Sequence, residues 1–374
     1  MLDVLNDETY MRLALDMAAK AKGQTDINPV VGCVVVNEGR IVGLGAHLKR
    51  GEGHAEVHAL AMAGPAAEGA TVYVTLEPCS HHGRTPPCCD RIIAAKAARV
   101  VVASTDPNPL VAGRGIAKLR EAGITVEVGL LGSESQKMNE AFNKFITSGL
   151  PYVTVKSAMT MDGKLAAKTG DSRYVSGPES RELTHTLRHQ HMAIMVGVQT
   201  LLADDPELTT RLQVPAAHPI RIIVDSKLRM PLHAKLLQDK ISPVLILTTE
   251  HADPSKCAAL VAAGAQVVRC GSGEKVDLSV GMQLLGERGI GSILLEGGGK
   301  LNGSMLEQGL IDKIVLFIAP KLIGGAASPS AFEFEGFDRM SEAIKIKDIQ
   351  VQKVGPDVCL IGYPEYGDRV NGAT

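Results

Sequence analysis

Hydrophobic and polar positions follow two periods along this chain, and the way the periods alternate is the first clue to its architecture. Over residues 7–22, Met11, Leu15 and Ala18 recur at helical spacing, and Gly23 supplies a stop. Residues 31–36 form a nearly continuous β-branched run. Asn37-Glu38-Gly39 then turns the chain into 41–44, which predicts a hairpin. Further strands are predicted at 71–76, 99–103 and 125–128, with helices over 55–63, 88–96, 114–122 and 134–146. A hairpin followed by strand–helix units implies a mixed sheet covered by helices on both faces.

The segment Thr147-Ser148-Gly149-Leu150-Pro151 reads as a linker, after which a second alternating series begins. Strands are predicted at 152–158, 193–196, 221–224, 244–247, 292–295 and 313–318, and helices over 178–189, 255–263, 278–288 and 300–308. The expectation is two α/β domains, 1–147 and 148–374, and 374 residues are enough for each to bury a core. No internal repeat or low-complexity tract interrupts either half.

Charge adds little to this picture. The 39 basic and 41 acidic residues nearly balance and form no block of one sign, so nothing favours a nucleic-acid or membrane partner. The acidic residues of the opening segment do not suit a targeting peptide, and no apolar run reaches bilayer length. Seven cysteines, an odd and unevenly spaced set, argue against a disulfide framework and for a reducing compartment, so a soluble cytoplasmic protein is expected. Self-association is left open.

Candidate chemistry concentrates in His54-Ala55-Glu56, Pro78-Cys79 and Pro87-Cys88. One imidazole and two thiolates give Zn²⁺ three protein ligands and leave a fourth position for water, whose pKa the metal lowers. One zinc per chain is therefore expected on His54, Cys79 and Cys88. Glu56, beside the first ligand but not needed as one, is the expected catalytic proton carrier. Cys88 opens a predicted helix, where the dipole favours a thiolate. Cys89 is expected to pack into that helix. His58 lies four residues after His54, but Ala55 stands where a metalloprotease motif needs Glu.

His-x-Glu followed by Pro-Cys and a second Cys resembles the zinc nucleobase deaminases, and Asn28-Pro29-Val30-Val31-Gly32 resembles their substrate-ribose segment. The common form places two residues between the cysteines, whereas eight separate Cys79 from Cys88. The longer loop Ser80-His81-His82-Gly83-Arg84-Thr85-Pro86-Pro87 resembles one branch, the deaminase of riboflavin biosynthesis. Gly51-Glu52-Gly53-His54-Ala55-Glu56 and Asp106-Pro107-Asn108-Pro109 fit that branch as well. By residue type alone, His81, His82 and Arg84 are equally well read as solvated loop. The resemblance implies that His81 and Arg84 contact the substrate's ribose phosphate, and that Asn28, His47, Asp106 and Asn108 also touch substrate.

In the second half no residue set announces chemistry by itself. The strand 292–295 ends in Glu296-Gly297-Gly298-Gly299 before a helix, and this glycine run reads equally as a phosphate cradle or a tight turn. No G-x-G-x-x-G is present, so a Rossmann site is unsupported. Resemblance goes further. Residues 156–169 and 172–176, Thr200-Leu201-Leu202-Ala203-Asp204-Asp205-Pro206, Ile223-Val224-Asp225-Ser226, the glycine run and Ala319-Pro320-Lys321-Leu322-Ile323-Gly324 are similar to the reductase of the same pathway. That reductase is related to dihydrofolate reductase and uses NADPH. The resemblance implies a cofactor site at Ala158, Tyr174, Thr200, Asp204, Ser226, Gly298, Gly299, Lys300, Leu301, Asn302, Gly303 and Ser304. It implies substrate contacts at Lys156, Ser172, Arg188, Leu208, Arg211 and Glu296, with both arginines available for phosphate.

The fold these resemblances imply is a cytidine-deaminase-like α/β/α sandwich followed by a dihydrofolate-reductase-like α/β domain. The implied function is bifunctional: hydrolytic deamination of 2,5-diamino-6-ribosylamino-4(3H)-pyrimidinone 5′-phosphate, then NADPH-dependent reduction of the ribosyl group to ribityl. The rival is a nucleobase or tRNA deaminase carrying a non-catalytic binding domain. RNA recognition would want a basic stripe or an aromatic platform, and balanced charge with 3% aromatic residues offers neither.

Overall fold

The computed structural model describes residues 5–81, 86–109 and 111–367. The chain divides into two compact units, Met1–Gly149 and Leu150–Thr374.

In the first unit, α1 (Asp7–Lys20) begins at Asn6, whose side chain accepts from Thr9 N while Thr9 Oγ1 accepts from Asn6 N, satisfying two N–H groups. There follow the hairpin β1 (Gly32–Asn37) and β2 (Arg40–Ala46), then α2 (Ala55–Ala63), β3 (Thr71–Leu76), α3 (Cys88–Ala94), β4 (Arg99–Ser104), α4 (Arg114–Glu121), β5 (Thr125–Val128), α5 (Gly132–Met138) and α6 (Glu140–Ser148). The five strands lie in the order β2-β1-β3-β4-β5, antiparallel up to β3 and parallel beyond. The strands' period of two sorts their side chains. Cys33, Val35, Val72, Val74, Val100 and Val102 pack with α2, α3 and α4, whereas Val34, Val36, Tyr73 and Val101 pack with α1. This is the expected mixed sheet with helices on both faces.

The single helix expected over 134–146 is instead two, broken at Asn139. The cause is local chemistry. The Asn139 side chain accepts from Val30 N at 2.8 Å and donates to Val30 O at 3.0 Å. It closes the segment that follows Asn28, and its backbone leaves helical geometry to do so.

The second unit contains β6 (Tyr152–Thr160), α7 (Pro178–Gln190), β7 (Ala193–Gly197), α8 (Val198–Asp204), β8 (Ile220–Val224), α9 (Lys235–Gln238), β9 (Val244–Thr248), α10 (Pro254–Ala262), β10 (Gln266–Arg269), α11 (Leu278–Glu287), β11 (Ser292–Leu295), α12 (Gly299–Glu307), β12 (Lys313–Ala319), β13 (Lys345–Val354) and β14 (Asp357–Glu365). Its nine strands run β10-β9-β8-β7-β11-β6-β12-β14-β13, parallel as far as β12 and antiparallel beyond. Helices α11 and α12 cover one face, and α8, α9 and α10 cover the other.

Three strands, β10, β13 and β14, escape the sequence pattern. In β13 the exposed edge carries few apolar residues, and a register shift between Lys347 and Gln350, with Asp348 at φ +49°, resets the alternation midway. Helices α8 and α9, seven and four residues long, are too short to show a period.

Candidate active sites

The first site is assembled from element ends. His54 is the N-cap residue of α2, Cys79 follows β3 through Pro78, and Cys88 is the first residue of α3. His54 Nδ1 lies 3.6 Å from Cys79 Sγ and 3.3 Å from Cys88 Sγ, and the three ligand atoms are mutually within 4.8 Å. Zinc bonds of the usual lengths, set tetrahedrally, demand ligand–ligand edges of about 3.5–3.8 Å, so the donors present fit this metal. Two helix N-termini meet there. Cys88 N donates to Cys79 Sγ at 3.3 Å, and Cys89 N donates to Cys79 O at 3.2 Å.

The charges of the site are coupled. A proton shared with Cys88 holds Cys79 well below the ordinary thiol range, helped by His54 and by the Cys88 N–H. The same sharing, with burial, pushes Cys88 up. Zn²⁺ held by His54, Cys79 and Cys88 would require both sulfurs as thiolates. Glu56, in the first turn of α2, is only 3% exposed, and burial raises its carboxyl to about 7. Cys89 turns away from the cluster, with its thiol directed at Pro78 O (3.2 Å) and Gly115 O (3.5 Å).

The expected substrate contacts around this cluster divide. The His47 ring is 3% exposed, with Nε2 3.2 Å from Asn28 Nδ2 and Nδ1 3.2 Å from Gly53 O. His47 therefore stands behind Asn28 rather than in an open cleft. The Asn28 backbone is fixed as well: Thr25 Oγ1 donates to its carbonyl at 2.9 Å. Asp106 and Asn108 are half-buried, and Asp106 Oδ1 accepts from Asn108 N at 2.8 Å. Burial raises the Asp106 carboxyl, and the charges of Glu77, His81 and Cys79 also act on it. His81 is exposed, and Arg84 lies outside the described residues.

The second site lies at the carboxyl ends of parallel strands, where open α/β sheets bind ligands. Adjacent strands β8, β7, β11 and β6 bring Ser226, Thr200, Glu296 and Lys156 to that edge in turn. A cavity of about 300 Å³ is lined there by Lys156, Ala158, Ser172, Tyr174, Arg188, Arg211 and Glu296 among others. A second, of about 520 Å³, shares Ser172, Tyr174, Arg188 and Arg211 and adds Asp204 and Leu208.

Arg188 differs from expectation. Its Nε and Nη2 bind Glu296 Oε1 and Oε2 at 2.7 and 3.0 Å, and Nη1 donates to Thr209 O at 2.9 Å. It stands in a half-buried ion pair on the cavity wall. Arg211 stays exposed, bonded to Glu207 at 3.1 Å and Thr209 Oγ1 at 3.3 Å. Burial alone would raise Glu296, but Arg188 and Lys156 more than offset it and hold the carboxyl at about 2. Burial lowers Lys156, whose Nζ is 3.9 Å from Glu296.

Tyr174 is 64% exposed, and the Arg181 guanidinium sits 4.4 Å from its ring centroid. Lys321 Nζ donates to Tyr174 O and Val175 O at 2.7 and 3.0 Å, pinning the same loop.

Several expected contacts face elsewhere. Asn302 has 0% exposure, and its Nδ2 donates to Ser157 Oγ and Ala331 O at 3.2 and 3.0 Å. A Cβ on Gly303 or Gly299 would collide with the backbone of Glu333 or Ser330. These residues let α12 pack closely and do not meet a ligand with their side chains. Lys300 is exposed, Leu301 packs over Gly297 and Gly197, and Ser304 is half-buried. The Leu208 side chain is core, so it offers the cavity mainly backbone. The Ser226 hydroxyl accepts from Val276 N at 3.1 Å. Sequence reasoning missed Glu77, Asn139 and His185. His185 Nδ1 accepts from Arg211 N at 3.2 Å on the wall of the first cavity. No local pattern marks any of the three, because each acts on backbone remote in sequence.

Comparison with known proteins agrees with this two-site geometry. The family model described as the cytidine and deoxycytidylate deaminase zinc-binding region matches residues 5–104, and the RibD C-terminal domain matches 151–360. The RibD riboflavin biosynthesis protein of Bacillus amyloliquefaciens is 43% identical over 96% of this chain and 97% of its own. That of Escherichia coli K12 is 42% identical over 95% and 99%. Among solved structures, Acinetobacter baumannii RibD superposes with a TM-score of 0.87 at 35% identity, covering 96% of this chain and 99% of that one. The Thermotoga maritima diaminohydroxyphosphoribosylaminopyrimidine deaminase/5-amino-6-(5-phosphoribosylamino)uracil reductase gives 0.83 at 33% identity, over 96% and 98%. The rival reading, a nucleobase deaminase with an inert second domain, is not favoured by a reductase-family match over 151–360. With a deaminase and a reductase on one polypeptide, this chain belongs to the RibD family of bifunctional riboflavin-biosynthesis enzymes.

Proposed function

We propose that residues 1–147 deaminate 2,5-diamino-6-ribosylamino-4(3H)-pyrimidinone 5′-phosphate and that residues 148–374 reduce the product's ribosyl group with NADPH in the cytoplasm. The observation that carries the first half is the convergence of His54, Cys79 and Cys88 beside buried Glu56. One zinc per chain, when bound there, supplies an acidified water as nucleophile. Glu56 would take one proton of that water to the ring nitrogen and then carry the second, from the added hydroxyl, to the departing amine, which leaves as ammonia. Its raised pKa suits a group that both accepts and donates near neutrality. Asn28, Asp106, Asn108, His81 and Arg84 are the candidates to hold the sugar phosphate.

For the second half, NADPH when bound would supply a hydride to C1′ of the ring-opened imine, with a proton from water completing the amine. The chain's part is to align the two along the edge formed by Ser226, Thr200, Asp204 and Gly298. Tyr174 offers an aromatic face for stacking, Lys156 and Glu296 flank the sugar, and Arg211 has charge available for phosphate. The test is a coupled assay with the synthetic aminopyrimidine: ammonia release first, then NADPH oxidation on the deaminated compound, alongside metal analysis. Ammonia release from protein stripped of zinc, or preference for NADH over NADPH, would overturn the corresponding half.

A further inference from the structure

Between β4 and α4, residues 105–109 and 111–113 carry Asp106 and Asn108 and belong to no strand. Both ends of this stretch converge on one side chain. Glu77 Oε2 accepts from Asp106 N at 3.2 Å and Gly113 N at 3.0 Å, and Oε1 accepts from Gly115 N at 2.8 Å and Ile116 N at 3.3 Å. The residue is 5% exposed, so water does not compete for these bonds. Glu77 is itself fixed, since its backbone N donates to Ser104 O at 2.9 Å, and Pro78 and Cys79 follow directly. A Cβ on Gly115 would collide with the Pro78 carbonyl oxygen, so the start of α4 is seated directly against the turn that delivers Cys79.

We propose that Glu77 is a positioning residue of the deaminase. It ties the segment bearing Asp106 and Asn108 to the turn bearing Cys79, and so sets the distance between the metal and the groups that receive the substrate's sugar phosphate. The proposal rests on the deaminase reading given above. Chemistry explains why a carboxylate is needed. Two oxygens accept four N–H groups, whereas the isosteric amide has one acceptor oxygen and turns an NH₂ toward two of those donors.

The test uses the full chain with Glu77→Gln and, separately, Gly115→Ala. Each is assayed for zinc, for ammonia release from the aminopyrimidine ribosylamine 5′-phosphate, and for NADPH oxidation with the deaminated compound. Zinc should stay near one per chain and the reductase should be unchanged. The deaminase KM should rise on the order of tenfold or more while kcat falls less, because the reacting groups are intact and substrate positioning is lost. Should Glu77→Gln not fold, hydrogen exchange on the unsubstituted protein decides. The amides of Asp106, Gly113, Gly115 and Ile116 should exchange as slowly as those of β4. Fast exchange at those four amides overturns the proposal, as does normal KM in Glu77→Gln. No ammonia from the unsubstituted chain would sink the deaminase reading and this proposal with it.

Discussion

The two units solve the problem of buried charge in opposite ways. In the first, the ligand atoms of His54, Cys79 and Cys88 converge within 4.8 Å of one another, a set that a metal ion would complete. In the second, Arg188 and Glu296, 108 residues apart, neutralise one another within the chain, and Lys156 stands beside them. The first site offers donors suited to an added ion, whereas the charges of the second are matched within the chain. A metal-completed site can therefore be emptied, whereas an ion-paired site can only be broken.

The comparison is tested most severely by Cys79→Ser and Cys88→Ser. Each should strip zinc and lower deamination on the order of a thousandfold, leaving NADPH oxidation intact. Full zinc in either variant would end the metal assignment. Glu56→Gln should separate metal from proton transfer. Zinc stays, ammonia release drops on the order of a hundredfold or more, and the reductase is unaffected.

On the other side, Glu296→Gln and Arg188→Ala each remove one partner of a buried pair. The expected cost is about 3 kcal/mol to the stability of the second unit, with reductase KM raised and deamination retained. Denaturation followed separately in each unit checks this. Equal losses in both units would show that the units are not independent.

The smallest effect is on pH. Burial, with the Arg188 and Arg211 charges, holds the His185 imidazole down at about 4 against an ordinary 6.5. The unfolded chain therefore binds the proton more readily, and the second unit should lose stability as pH falls from about 6.5 towards 4. In the first unit, the Arg99 and Tyr73 hydrogen bonds hold Asp7 at about 2 against an ordinary 3.8. Its contribution is complete above pH about 4 and fades towards 2. Thermal melts across this range should show the second unit weakening first.

What was legible in the sequence follows the same division. His54, Glu56, Cys79 and Cys88 are rare residue types whose chemistry requires the spacing they show, and their elements are bounded by strong local signals. The central strands of the first sheet, β1, β3 and β4, are buried on both faces and read as runs rich in valine. The reductase cavity is built from ordinary residues of β6, α7 and the loops around them, and only resemblance pointed to it. That route could not show that Arg188 is already paired, or that Asn302 faces Ser157, because neither fact is local. Likewise β13, on a solvated edge with a shifted register, leaves no periodic trace.

The clamp between Asn139 and Val30 bears on how small a working deaminase could be. Every residue assigned to its chemistry falls between Asn28 and Asn108, and the zinc-binding family match ends at residue 104. An engineer cutting the gene after β5 would keep all of them. Yet the amide and carbonyl of Val30 would lose their buried partner 109 residues downstream, next to the segment that presents Asn28. Helix α5 and the Asn139 that ends it thus belong to the catalytic module's minimum length.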